Sequence, residues 1–447
     1  MKSDTDRLAV AIRALRDVAG YPGCNWRSKT VRAFTLHWWH QFDVARWLGE
    51  PTGVRRAFRG VDSRESIARI TQALGDVARI MVGFGIDTSR RGEVTVFLWD
   101  ADLDLPNQLE VIGKTPSARN SSNHGLKLAS PLSRVFADGS PPAVLLPTFD
   151  RTRDHQRTVN WLSASAVHEG FHALLRDWLG IKRVQTLFAS LAWQKMEEMC
   201  AVWMETKVEP ENRSHLDYGR AWLGTLMLTH ADQVTRFAPA TWAGFDEDHE
   251  DYPHYVMLAT LDRLAGKKRQ LKHWLPTFWE QARKAKVTDS PWKILDAVTK
   301  GAGGLGAVFE QAMVDTLLAE PANRVVCQIL EEFGPPAATV VEPGAPSEIR
   351  FPPLSGHFFH FAPAKTGRDA AILVRGSMDD LQKVKVRAWR LAPGDRNAEP
   401  EARVNGHEPV ADRAKWTCRI DPKTPLPVMV CHAGIEGRTV VAGAASD

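Results

Sequence analysis

Residues 161–179 carry apolar side chains nearly all the way round a helical wheel, and His168-Glu169-Gly170-Phe171-His172 stands in their midst. Ala164, Ala166, Val167, Phe171, Ala173, Leu174 and Leu175 leave no stripe wide enough to face water, so the spacing predicts a buried helix over 161–179. Two imidazoles and a carboxylate buried together are costly unless something compensates them. Histidines four apart lie one turn apart on one helix face, so both rings can reach a single ion. Glu169 is then placed to take a proton from a water polarised by that ion. Two neutral imidazoles with one carboxylate suit Zn2+, which keeps a fourth position for water. The bare pattern arises by chance in about 3% of chains of this composition. Its place inside an apolar helix is what argues for a metal.

A third ligand has to come from another segment. An extended form of the motif needs Gly at 175 and His at 178, and Leu175 and Trp178 close that route. The next helix holds Glu197-Glu198-Met199-Cys200-Ala201. Glu198 shares a helical face with Leu187, Leu191 and Val202, and a carboxylate on such a stripe calls for a cation. Glu197 lies about 100° away, nearer Trp193, Ala201 and Met204. Glu198 is the first candidate and Glu197 stays open as the alternative. Glu205, two turns beyond Glu198, is a candidate acceptor for a histidine N–H.

Elsewhere the chain reads as α+β. Residues 30–48 and 63–86 have apolar positions at helical spacing, such as Ile67, Ile70, Leu74, Val77 and Ile80. Val94–Trp99 and Ala143–Leu146 read as strands, with loop-rich sequence between them. From 160 to about 334 the pattern is almost wholly helical, with helices expected at 161–179, 183–207, 216–231, 253–264, 271–285, 290–300, 306–319 and 322–333. The Pro- and Gly-bracketed stretch 335–346 reads as a linker. After it come short strand candidates at 357–361, 371–374, 384–391, 416–420, 428–431 and 439–441, the spacing of a β-sandwich-like domain over 347–447. The expected organisation is an N-terminal helical segment (1–60), a catalytic region (61–334) with an upper lobe to about 180 and a helical lower lobe after it, the linker, and the sandwich.

With 447 residues, 44% apolar and 25% charged, the chain has the make-up of a globular protein. A formal charge of +4 is too slight to imply a nucleic-acid or membrane-surface partner, and no apolar run reaches a membrane-spanning length. Acidic residues near Met1 and the arginines in 8–19 read as an amphipathic helix and not a signal peptide, which points to the cytoplasm unless a leader has been removed. Cys24, Cys200, Cys327, Cys418 and Cys431 form no CxxC pair and are expected to be reduced, although Cys418 and Cys431 could pair in an exported protein.

HExxH at 168–172, then 25 residues, then Glu198-Met199-Cys200-Ala201, resembles the gluzincin branch of the zinc metallopeptidases. The order of long helix, strand, edge strand and motif helix over roughly 63–330 is similar to the zincin-like arrangement. The resemblance implies a zinc metallopeptidase, expected to be an endopeptidase. His168, His172 and Glu198 would be ligands, Glu169 the general base, and a peptide or protein the substrate. It also implies a Tyr or His donor to the oxyanion downstream of the third ligand. The candidates, in order, are Tyr255, Tyr252, His254 and His230.

Other patterns carry less. Gly301–Gly306 matches GxGxxG but follows a helical segment, so it reads as an interhelical loop. Asn120 and Asn212 begin sequons, Gly266–Arg269 reads as a solvated loop, and Asp246–Asp251 is an acidic loop without EF-hand spacing.

Overall fold

The computed structural model describes residues 26–39, 64–86, 94–100, 143–148, 155–225, 254–286, 288–336, 338–342, 347–351, 354–363, 369–389, 401–402, 404–406, 412–420, 426–434 and 440–446. The fold is mixed α+β. It divides into two compact units, one of Met1–Glu197, Met204–Ser214 and Ala285–Thr288, the other of Glu198–Trp203, His215–Lys284 and Asp289–Asp447.

The first unit contains a four-stranded sheet of β1 (Trp26–Val31), β2 (Phe34–Trp39), β3 (Val94–Asp100) and β4 (Ala143–Thr148), in that order. β1 and β2 are antiparallel, whereas β2–β3 and β3–β4 are parallel. Helix α1 (Arg64–Gly83) and helix α2 (His155–Leu179) pack on each other and on the sheet. The reason is in the side chains. Ile70, Leu74, Val77 and Met81 form one buried stripe on α1, and Phe34, Leu36, Val94, Val96, Val144 and Leu146 give the sheet an apolar face. β2 corrects the helical reading of 30–48: Phe34, Leu36 and Trp38 are buried at alternate positions, a period of two, and the turn Arg32-Ala33 folds the segment back on β1. Residues 1–25 and 40–60 of the expected helical segment lie outside the described residues.

The reading of one helix over 183–207 is also corrected. α3 (Ile181–Leu187) stops at a turn through Phe188–Ser190, and α4 (Leu191–Val208) starts afresh. The backbone N–H of Phe188 closes α3 on Val184, and Ser190 takes an extended conformation before α4.

The second unit holds α5 (Leu216–Thr225), α6 (Tyr255–Lys267), α7 (Trp274–Ala282), α8 (Pro291–Val298), α9 (Leu305–Leu318) and α10 (Arg324–Phe333). Large rings fill it: Trp222 and Trp279 are fully buried, and Trp203 meets Trp274 edge-on at 5.2 Å. Buried Asp315 on α9 accepts from Arg263, Gln311 and Asn323, which ties α6, α9 and the start of α10 together. The GxGxxG segment is the α8–α9 connection. Gly303 and Gly304 have positive φ, and the N–H of Leu305 donates to Asp296.

The rest of this unit is a pair of five-stranded sheets. Their strands are β5 (Thr339–Val341), β6 (Ser347–Phe351), β7 (Ser355–Phe361), β8 (Asp369–Arg375), β9 (Val384–Trp389), β10 (Glu401–Ala402), β11 (Asn405–Gly406), β12 (Arg413–Arg419), β13 (Leu426–His432) and β14 (Val440–Ser446), with the short helix α11 (Met378–Leu381) before β9. One sheet runs β10-β9-β13-β7-β5 and the other β11-β12-β8-β14-β6. Phe359, Phe361, Val428 and Val430 of the first meet Ile372, Val374, Ala414 and Ala442 of the second in one core. The other face of the first sheet rests on α9, where a Cβ on Gly356 would run into Met313 and where Arg387 pairs with Glu310. The stretch read as a linker is partly structural, because β5 pairs in parallel with β7. None of Cys200, Cys327, Cys418 and Cys431 is in a disulfide. Cys418 joins the interlayer core, whereas Cys431 follows Val430 onto the opposite face of its sheet, where burial pushes its thiol up. Among the described residues no helix is long and apolar enough to cross a membrane.

Candidate metal centre

Gly170 sets the orientation of the motif. A Cβ there would stand 3.1 Å from Leu74 Cδ2, 3.2 Å from Val77 Cγ1 and 3.3 Å from Phe34 Cζ, so α2 lies tight on α1 and β2 at this point. Two residues along a helix is a turn of about 200°. Backing Gly170 onto that packing therefore turns His168 and His172 to the other side of α2. Their rings meet edge-on, with centroids 4.8 Å apart. His172 is buried, and 12% of the His168 side chain is exposed.

Helix α4 supplies the acidic partners. Nδ1 of His168 donates to Oε1 of Glu205 at 2.8 Å, and Oε2 of Glu205 accepts from Ser214 Oγ at 3.2 Å. Nδ1 of His172 lies 3.1 Å from Oε1 of Glu197. Arg176, one turn further along α2, reaches the same carboxylate with both prongs: Nε to Oε1 at 2.7 Å and Nη2 to Oε2 at 2.6 Å. Burial by itself would raise the Glu197 carboxyl, but the Arg176 charge and the bonds from Arg176 and His172 hold it below the usual carboxylate range. Past the end of α4, Glu209 accepts from Ser163 and Asn212, so the second sequon's asparagine is buried and engaged.

With Nδ1 of each ring turned to a carboxylate, Nε2 is the nitrogen a metal would take. Glu198, half-buried, joins the two histidines: one donor atom from each of His168, His172 and Glu198 lies within 4.8 Å of the others. Three points so placed share a centre no more than about 2.8 Å from any of them, within a small side-chain adjustment of the roughly 2.0–2.1 Å of a Zn–ligand bond. The donor set fits a divalent cation, and the two carboxylates behind the rings fit the same purpose, since they fix the tautomer and orientation of each imidazole. Glu169 is buried on the same helix.

The remaining candidates come from later segments of the chain. Tyr255 is wholly buried at the start of α6. Its hydroxyl donates inward to the carbonyl of His215 at 3.3 Å, and its ring meets the His215 ring edge-on. The oxyanion role expected of Tyr255 requires that bond to be exchanged. His254 is buried against Trp292. Tyr252 and His230 lie outside the described residues. Arg176 is the residue the sequence reading passed over. Its signal was present: His168, His172 and Arg176 recur every four residues, so a cation on the same buried stripe needed a carboxylate.

No protein-family model matches the chain, and no curated protein matches it. Among solved structures, the IMPa metallopeptidase from Pseudomonas aeruginosa aligns with 98% of this chain and 54% of its own, at 12% identity and a TM-score of 0.13. The chain spans about half the length of that protein, and a superposition of that score carries neither fold nor chemistry across.

Proposed function

We propose that this chain is a zinc-dependent hydrolase of zincin-like fold that cleaves peptide bonds, with His168, His172 and Glu198 as ligands and Glu169 as general base. One observation carries the reading: three donor atoms from two helices converge within 4.8 Å, and the residue that follows His168 in the chain, Glu169, is a buried carboxylate that metal binding itself does not need. Zinc, when bound, supplies a Lewis acid and brings the pKa of a water toward about 7. A carboxylate oxygen of Glu169 takes the proton of the attacking water and passes it to the leaving amide nitrogen. Glu205 and Glu197 hold the two imidazoles in place meanwhile. β4 pairs only with β3 among the described strands, and its other edge suits main-chain pairing with an extended peptide. Tyr255 and Tyr252 are the proposed donors to the oxyanion.

The test is metal content together with turnover. The purified protein should hold about one zinc and cleave an unstructured protein. Glu169→Gln should keep the zinc and lose roughly a hundredfold to ten-thousandfold in kcat. A Glu169→Gln protein that cleaves as fast as wild type would refute the mechanism. Hydrolysis of esters or non-peptide amides, with peptides left intact, would move the substrate class and leave the site. Tyr255→Phe should lower kcat by about 10²–10³ with KM little changed, and an unchanged kcat removes Tyr255 from the oxyanion role.

A further inference from the structure

Glu197 and Glu198 are consecutive on α4, and a zinc held by two histidines needs one carboxylate. We infer that Arg176 decides between them: its guanidinium pins Glu197 behind His172 and so leaves the ion to Glu198, which makes Arg176 a positioning residue for the metal centre. The inference rests on the metal reading above and adds to it what selects the third ligand.

The geometry is specific. Both oxygens of Glu197 are taken by the Arg176 fork, at 2.7 and 2.6 Å, and Oε1 also lies 3.1 Å from Nδ1 of His172. The Arg176 and Glu197 side chains are 4% and 1% exposed, so water does not loosen the pair. The guanidinium also lies over the Phe188 ring, 5.0 Å from its centroid, so an aromatic face from the α3–α4 turn holds it from another direction. For Glu197 to swing onto an ion it would have to break two charge-assisted bonds and leave a buried guanidinium uncompensated. Glu198, about 100° further round the helix, is the carboxylate in the cluster. Removing the fork releases a second carboxylate beside the site.

Cobalt(II) replacing zinc reports this directly, since a four-coordinate ion absorbs visible light several-fold more strongly than one with more ligands. Arg176→Gln should lower the visible absorptivity of the cobalt protein at least twofold as Glu197 joins the ion. It should also weaken zinc binding about ten- to a hundredfold, because His172 loses its support. Arg176→Gln with Glu197→Gln has no spare carboxylate and should return to the wild-type spectrum, a rescue that a purely structural arginine would not show. The inference is overturned if folded Arg176→Gln keeps the wild-type spectrum and zinc affinity, or if the double variant keeps the altered spectrum of the single one. Should Arg176→Gln alone fail to fold, Arg176→Lys serves, since an ammonium cannot grip both oxygens as the fork does. A lysine variant identical to wild type in spectrum and affinity then overturns the need for the fork. A wild-type protein that takes up neither zinc nor cobalt overturns the metal reading, and this inference with it.

Discussion

Replacing Glu205 with alanine removes the acceptor behind His168 and the acceptor of Ser214 together. Glu205 is buried on α4, so solvent does not readily take its place. The bond from His168 is 2.8 Å and ends on a carboxylate, a class worth about 1.5–3 kcal/mol, and the 3.2 Å bond from Ser214 adds roughly 1 kcal/mol. For the metal, what matters is the orientation of the ring: losing such a partner costs about 10–100-fold in affinity, or roughly 1.4–2.7 kcal/mol. Competition with a chromophoric chelator on the metal-free protein, at fixed pH and salt, measures this. Glu205→Ala should bind zinc about 10–100-fold more weakly and melt at a lower temperature when metal-free. Glu205→Gln keeps an oxygen for His168 Nδ1 and should stay within about tenfold of wild type. A folded Glu205→Ala protein with wild-type zinc affinity would show that the carboxylate does not position the ring.

Two further outcomes follow from packing and burial. Gly170→Val should destabilise the metal-free protein by about 1–3 kcal/mol, because its γ-carbons reach past a Cβ already 3.1–3.3 Å from Leu74, Val77 and Phe34; Gly170→Ala should cost much less, since its helix preference of about 1 kcal/mol offsets the contact, and equal melting temperatures for the two would refute the tight approach. His357, buried in β7 with Nε2 on Thr339 Oγ1 and Nδ1 without a hydrogen-bond partner among the described residues, is pushed by burial down to about 4. The folded protein then resists a proton that the unfolded chain accepts, so this contribution, on the order of 3 kcal/mol, is complete above about pH 6.5 and is lost as pH falls toward 4. Denaturant melts between pH 7.5 and 4 should show that limb, His357→Gln should flatten it, and an unchanged acid limb in the variant would assign it to other groups.

Some elements could be read directly because one local period governed them. The α1 stripe and the strands β8 and β12 bury side chains at a spacing written in the chain itself, whereas β7 and β13, buried along almost their whole length, read as short apolar and aromatic runs. β2 was misread because Phe34, Leu36 and Trp38 lie among other apolar residues that also satisfy a helical period, and pairing with β1 and β3 decides between the two. The break at Phe188–Ser190 was hidden because neither Gly nor Pro marks it. β5 was hidden because three residues in a proline-rich stretch carry no period, and only β7 makes them a strand. Glu198 and Glu205 were nominated from their place on α4, but a helical wheel gives the angle between Glu197 and Glu198 and not the partner each one meets.

The order of residues along α2 determined by itself that two imidazoles stand on one face with a glutamate beside them, because helix geometry converts a spacing of four into neighbourhood. Where that face points was settled only by tertiary packing, through Gly170 seated against Leu74, Val77 and Phe34. The partner of Glu197 was settled the same way, since an arginine twenty-one residues earlier grips that carboxylate. Contacts that close a chain over such distances come from the packing of whole elements, and no local pattern encodes them.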